Sequence, residues 1–250
     1  MTHHTDFARH EFIAKRYHYA VQFAQYALAR DPDDVDALLI LGMANFHTGH
    51  FIDGIDALER FALLRPLEED AQIELAIAYG CVGRRELSRD LLMNVAIGDR
   101  VDCDQLLRIA LGLEAIDEPR LAMEACRQAG KRSPETPDVH YQMGYFAQIC
   151  GQPVSVSEAL IRHAIDLDPH NLYFRIGLAS MLIRLDRKDE AMEVIEHMIP
   201  SRLSEVTCLC CLKRIANLFF DCDDVERAKL CAQRLGELHL THARWGEVIV

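Results

Sequence analysis

The sequence predicts an all-α fold, a solenoid of about seven helix–turn–helix units, from three observations. Prolines recur at a period of 34 residues, two registers of small side chains share that period, and glycines fall midway between those registers. Pro32 and Pro66 lie 34 residues apart, Pro134 follows after two further periods, and Pro169 arrives one residue late. Each closes a helical pattern, because proline lacks the N–H that would continue a helix and its ring clashes with the preceding turn.

The first small register is the eighth position of each unit: Ala8, Gly42, Ala76, Ala110, Gly144, Ala179 and Ala216. The second is the twentieth: Ala20, Gly54, Ser88, Ala122, Ser157, Ala191 and Ala228. Two helices of a hairpin approach closely only where neither carries a bulky side chain at the crossing, so these two registers are expected to meet. Large apolar residues fill the seventh position (Phe7, Leu41, Leu75, Ile109, Met143, Leu178, Ile215). Gly49, Gly83 and Gly151 mark the turn in three units, where a helix C-terminus calls for a left-handed residue.

On these residues the chain resembles the tetratricopeptide repeat (TPR) family across residues 1 to 242. The best copies are Val35 to Glu68, with Leu38, Leu41, Gly42, Phe51 and Pro66, and the first unit, with Tyr17, Ala20, Ala24, Ala27 and Pro32. The family's Trp at the fourth position is replaced by Leu38, Gln72, Leu106, His140 and Arg175. The resemblance implies a right-handed superhelix of repeats at about 1–34, 35–68, 69–102, 103–136, 137–171, 172–205 and 209–242, forming a single domain over 1–250. The fifth repeat carries one extra residue near Pro153, and the last is displaced by three residues after Pro200. A hairpin of this length cannot bury its apolar face alone, so the units must stack on one another, and terminal units need a cover. A short tail, 243–250, with Trp245 and Val248 to Val250, is the candidate cap.

In the resembled family the first helix of each unit lines a concave surface through its second, fifth, ninth and twelfth positions. Here those registers are apolar: Leu39, Met43 and Phe46; Ile73 and Ile77; Leu107 and Leu111; Tyr141 and Tyr145; and Ile176. Because Leu38, Leu41 and Gly42 already serve the packing side of their helix, Leu39 and Met43 make it apolar almost all round, and such a helix is normally covered on both sides. The expected cover is an apolar or amphipathic segment of another protein, which makes the chain a scaffold, adaptor or chaperone-like protein. The alternatives are burial of the same residues by tight curvature or by the chain's own tail, and a structural module in which that face joins two copies into a homo-oligomer. Family members that grip a terminal carboxylate do so with Lys, Asn and Arg, whereas only Lys213 and Asn217 of the last unit stand at comparable positions. Asp36, Asp70, Asp104 and Asp138 recur at the second register, where a carboxylate in the opening turn favours the positive end of the helix.

Composition narrows the function classes. A formal net charge of −12 without a dense Lys/Arg block opposes phosphate backbones, so no nucleic-acid partner is expected. The stretch Leu38 to Ala44 is well short of the ~20 apolar residues that cross a bilayer, and Met1 to His10 shows no secretory leader, so a cytoplasmic protein without a membrane partner is expected. Nine scattered cysteines read as reduced thiols. Cys208, Cys210 and Cys211, with Cys222 and Cys231 downstream, are the densest cluster, but along a presumed helix they are expected to point apart, so no metal and no cofactor is expected. His47 with His50, and His239 with His242, lack a partner at a telling interval and read as solvated or capping residues. Without a nucleophile elbow, phosphate loop or metalloprotease helix, and with no base assignable to Cys81 or Cys150, no catalytic residue and no enzyme activity are expected.

Overall fold

The computed structural model describes residues 3–196 and 198–246, with side chains through Leu238. The chain divides into two compact units, Met1–Pro134 and Glu135–Val250. The described residues are helical, joined by turns and short connections, with no strand among them.

The first unit consists of four hairpins: α1 (His3–Ile13) with α2 (Tyr17–Leu28), α3 (Val35–His47) with α4 (Phe51–Leu64), α5 (Glu69–Cys81) with α6 (Arg85–Ala96), and α7 (Cys103–Ala115) with α8 (Pro119–Arg132). Each helix packs on the next in sequence, and the first helices of successive hairpins also pack side by side, α1 on α3, α3 on α5 and α5 on α7. The second unit holds three more hairpins, α9 (Pro137–Ile149) with α10 (Val154–Leu167), α11 (Leu172–Arg184) with α12 (Lys188–Ile195), and α13 (Leu209–Asp221) with α14 (Val225–Gly246), in which α10 packs on α11 and α11 on α13. Between α12 and α13 the chain makes a 3₁₀ segment, Pro200–Glu205, which packs on α14 and accounts for the displaced last repeat.

The small registers meet within the hairpins. A methyl group added at Gly42 would stand 2.5 Å from Leu58 Cγ and 3.3 Å from the Gly54 carbonyl oxygen, while one at Gly54 would stand 3.2 Å from the carbonyl oxygen of Gly42. Gly144 faces the Ser157 carbonyl oxygen in the same way, at 3.0 Å. Ala8, Ala76, Ala110 and Ala179 of the first register are wholly buried, as are Ala20, Ser88, Ala122, Ser157 and Ala191 of the second.

Every hairpin turns through one left-handed residue at the fifteenth position of its unit. Glycine supplies it at Gly49, Gly83 and Gly151, with φ of 79°, 82° and 71°. Lys15, Asp117, Asp186 and Asp223 adopt it without glycine, with φ of 57°, 66°, 60° and 58°. In each case the left-handed N–H donates three residues back and the next N–H five residues back, as Gly49 does to Phe46 at 3.1 Å and His50 to Asn45 at 2.9 Å. These bonds satisfy the last free carbonyls of the first helix, so the turn closes the same way whichever residue occupies it.

Repeats are also tied by arginines that donate to carbonyl groups about one repeat back. Arg60 reaches the Pro32 oxygen at 2.8 Å, Arg202 that of His170 at 2.9 Å, and Arg227 that of Glu196 at 3.0 Å. Loop carbonyls that would otherwise lack a donor near a helix crossing are satisfied in this way.

Candidate functional site

The first helices α3, α5 and α7 lie side by side in the first unit, and their shared face alternates apolar and polar side chains. Met43 and His47 lie four residues apart on α3, while Glu74 with Ile77 on α5 and Arg108 with Leu111 on α7 lie three apart, so each pair shares a helix face. The charged groups converge. Arg108 donates to Asp70 Oδ1 at 2.6 Å and to Glu74 Oε1 at 3.4 Å, and His47 Nε2 approaches the same Glu74 oxygen at 3.7 Å.

Glu74 is the unusual member, with its side chain only 7% exposed and its second carboxylate oxygen buried without a hydrogen-bond partner. Burial pushes its carboxyl pKa up to about 7, against the opposing pull of Arg108. His47 is shifted the other way, below its ordinary value, by burial first and then by the charges of Arg108 and Lys15. Its ring stacks on Tyr17 with centroids 4.4 Å apart. The acidic neighbour that the sequence reading did not find for His47 is therefore one repeat away, while His50 Nδ1 lies 2.9 Å from the Thr48 hydroxyl oxygen. His239 and His242 lie outside the residues whose side chains are described, as does the tail with Trp245 and Val248 to Val250.

Glu74 and Arg108 occupy the sixth register, which was not among the four read from the sequence. Their signal was an opposite-charge pair separated by one period of 34 residues, with Asp70 one turn before Glu74. The row of second-register acids does sit in opening helical turns, and two of its members also pair across repeats: Asp70 with Arg108, and Asp36 with Arg9 at 2.7 Å.

The ten residues expected to line a groove divide into three groups. Ile73, Leu107, Tyr141 and Ile176 are buried, and the expectation that they face a partner is corrected on that ground. Neighbouring first helices pack so closely that the fifth register becomes part of the joint between repeats; Tyr141, for example, stacks on Phe174 at 4.9 Å and lies against Gly177. Leu39, Met43 and Phe46 are half-buried and pack against the cluster that includes Leu75, Ala78 and Tyr79, and half-buried Ile77 packs near Gly112. Leu111 and, in the second unit, Tyr145 are exposed, at 49% and 38%.

The thiol cluster also departs from expectation. Cys208 is the N-cap of α13, outside the helix proper, so its side chain folds back over the first turn instead of diverging from it. Its sulfur accepts from the Cys211 N–H at 3.4 Å and lies 3.1 Å from Cys210 Sγ, which in turn is 4.0 Å from Cys211 Sγ.

Comparison with solved structures fixes the architecture. A structure of MamA (AMB-1) is 24% identical to this chain, with a TM-score of 0.57 over 67% of this chain and 99% of that one. Another MamA structure is 19% identical, with a TM-score of 0.56 over 65% and 94%. YrrB, described as a TPR protein with an unusual peptide-binding site, is 15% identical, with a TM-score of 0.56 over 68% and 88%. This is a tetratricopeptide-repeat fold. No protein-family model matches the chain, and no curated protein matches it in sequence. The TPR assignment therefore rests on helix geometry and the 34-residue registers. Among the described residues, no helix is long and apolar enough to cross a membrane.

Proposed function

We propose that this TPR chain is a protein-interaction scaffold, an adaptor or chaperone-like protein of the cytoplasm without catalytic activity of its own, and that residues 1–250 serve as one binding domain. Its guest is an apolar or amphipathic segment of another protein, held along the α3–α5–α7 face. The observation that carries this reading is the juxtaposition of half-buried Leu39, Met43, Phe46 and Ile77 and exposed Leu111 with the Arg108–Glu74 pair. An apolar stripe gains free energy when covered, about 1 kcal/mol for the remaining exposure of a side chain such as Leu111. The charged pair fixes the register of the guest, because a half-exposed guanidinium beside a buried carboxylate offers directed donors in an otherwise apolar strip. The peptide-binding site named for YrrB supports the same use of the fold. In the second unit, Tyr145 is the corresponding contact.

The test is affinity capture from native lysate with cross-linking and mass spectrometry, comparing the wild-type chain with Leu111→Asp and Met43→Asp. Cross-links from α3, α5 and α7 to one partner segment, weakened in both variants while helicity is kept, are expected. A partner bound equally by both variants overturns the reading. A concentration-independent dimer in light scattering that dissociates on Leu111→Asp assigns the face to self-assembly instead.

A further inference from the structure

We propose that Cys208, Cys210 and Cys211 form a three-thiolate site for a soft monovalent cation, Cu(I). The three sulfurs all lie within 4.8 Å of one another. Sulfurs held about 2.3 Å from a cation in a trigonal plane stand about 4 Å apart. Of the observed separations, 4.0 Å for Cys210–Cys211 matches that spacing and 3.1 Å for Cys208–Cys210 falls short of it, so modest rotamer shifts close the ring.

The local sequence explains the convergence. In Cys208-Leu209-Cys210-Cys211 the first cysteine caps α13 and the other two lie in its first turn, so all three sulfurs share the end of the helix where N–H groups lack intrahelical acceptors. That end favours negative charge. Cu(I) binds three sulfurs as their protons leave to solvent, and its charge removes the repulsion between thiolates. Cys210 is exposed while Cys208 and Cys211 are half-buried, which leaves a path for the ion.

The ligand set selects the metal. No His, Asp, Glu or further Cys joins these three sulfurs among the described residues, whereas structural zinc takes four ligands. An all-thiolate, three-coordinate set suits soft Cu(I). A disulfide between Cys208 and Cys210 would use two sulfurs and leave Cys211 without a role.

The full chain, reduced and desalted without oxygen, is titrated with Cu(I) against bicinchoninate as a coloured competitor. The wild-type chain is expected to withdraw one equivalent, and Cys208→Ser/Cys210→Ser/Cys211→Ser to bind about 100-fold more weakly. Cys81→Ser/Cys222→Ser, which removes two exposed thiols elsewhere, is expected to match wild type. Cys210→Ser alone alters an exposed side chain and is expected to weaken binding about 10-fold with an unchanged helical signal, which separates ligand loss from misfolding. The proposal is overturned if the triple variant withdraws as much copper as wild type, or if Zn(II) is held in preference to Cu(I).

Discussion

Arg108 reaches back one repeat to Glu74, its guanidinium 3.4 Å from the Glu74 carboxylate, and so joins α7 to α5 at a point where the acid is almost fully buried. Removing one partner of such a pair costs more than the pair contributes, because the other is left charged in an apolar setting. Arg108→Ala should therefore destabilise the first unit by about 2–3 kcal/mol, measured as a shift of the urea midpoint at pH 8, whereas Arg108→Ala/Glu74→Leu should recover much of that loss.

The same carboxyl makes stability depend on pH. Glu74 titrates near pH 7 when folded against an ordinary value of 4.5, so the folded chain holds its proton more tightly. The stabilising contribution is fully present below about pH 4.5 and is lost as pH rises through 7. His47, lowered by burial and nearby positive charge, acts in the opposite sense and contributes stability that is lost as pH falls through its folded value. Glu74→Gln stays neutral throughout, so relative to wild type it should gain about 2 kcal/mol between pH 5 and pH 8. Urea unfolding at intervals across that range measures the difference, and an unchanged difference would rule out a titrating Glu74.

The left-handed turn position offers a paired test. Gly49→Ala adds a methyl group that meets nothing within 4 Å but forces φ of 79° on a residue with a Cβ, so it should cost about 1 kcal/mol through the backbone alone. Lys15→Gly, at φ 57°, should gain about 0.5–1 kcal/mol by relieving the same strain. Thermal unfolding of both variants gives the two signs.

Close crossings should respond differently from open helix surface. In Gly42→Ala the new carbon must displace Leu58, 2.5 Å away, against the next helix, at a cost of about 2–3 kcal/mol. In Gly236→Ala nothing lies within 4 Å and the helix gains a better former, worth about 0.5–1 kcal/mol. Chemical denaturation distinguishes a contact effect from a propensity effect.

Burial separates the apolar registers. Ile73→Asp places a charge at a position with no exposure and should abolish cooperative unfolding of the first unit, whereas Leu111→Asp should change stability by less than about 1 kcal/mol. Circular dichroism melts of the two variants check this before any binding measurement.

The 34-residue period of small side chains and prolines was sufficient to read the hairpins, their crossings at Gly42–Gly54 and Gly144–Ser157, and the turns at Gly49, Gly83 and Gly151. Those features depend on steric exclusion at single positions, which residue identity alone declares. The left-handed turns at Lys15, Asp117, Asp186 and Asp223 were legible only through their register, since their side chains do not demand that conformation. What tertiary structure alone decided was how closely one first helix lies on the next. That distance turned Ile73, Leu107, Tyr141 and Ile176 into joints between repeats, left Leu111 and Tyr145 exposed, and brought Arg108, Glu74 and His47 together. It follows from side-chain volumes summed over two repeats. The thiols of Cys208, Cys210 and Cys211 converge for a more local reason, the placement of Cys208 at the helix cap, which depends on where α13 begins after the 3₁₀ segment.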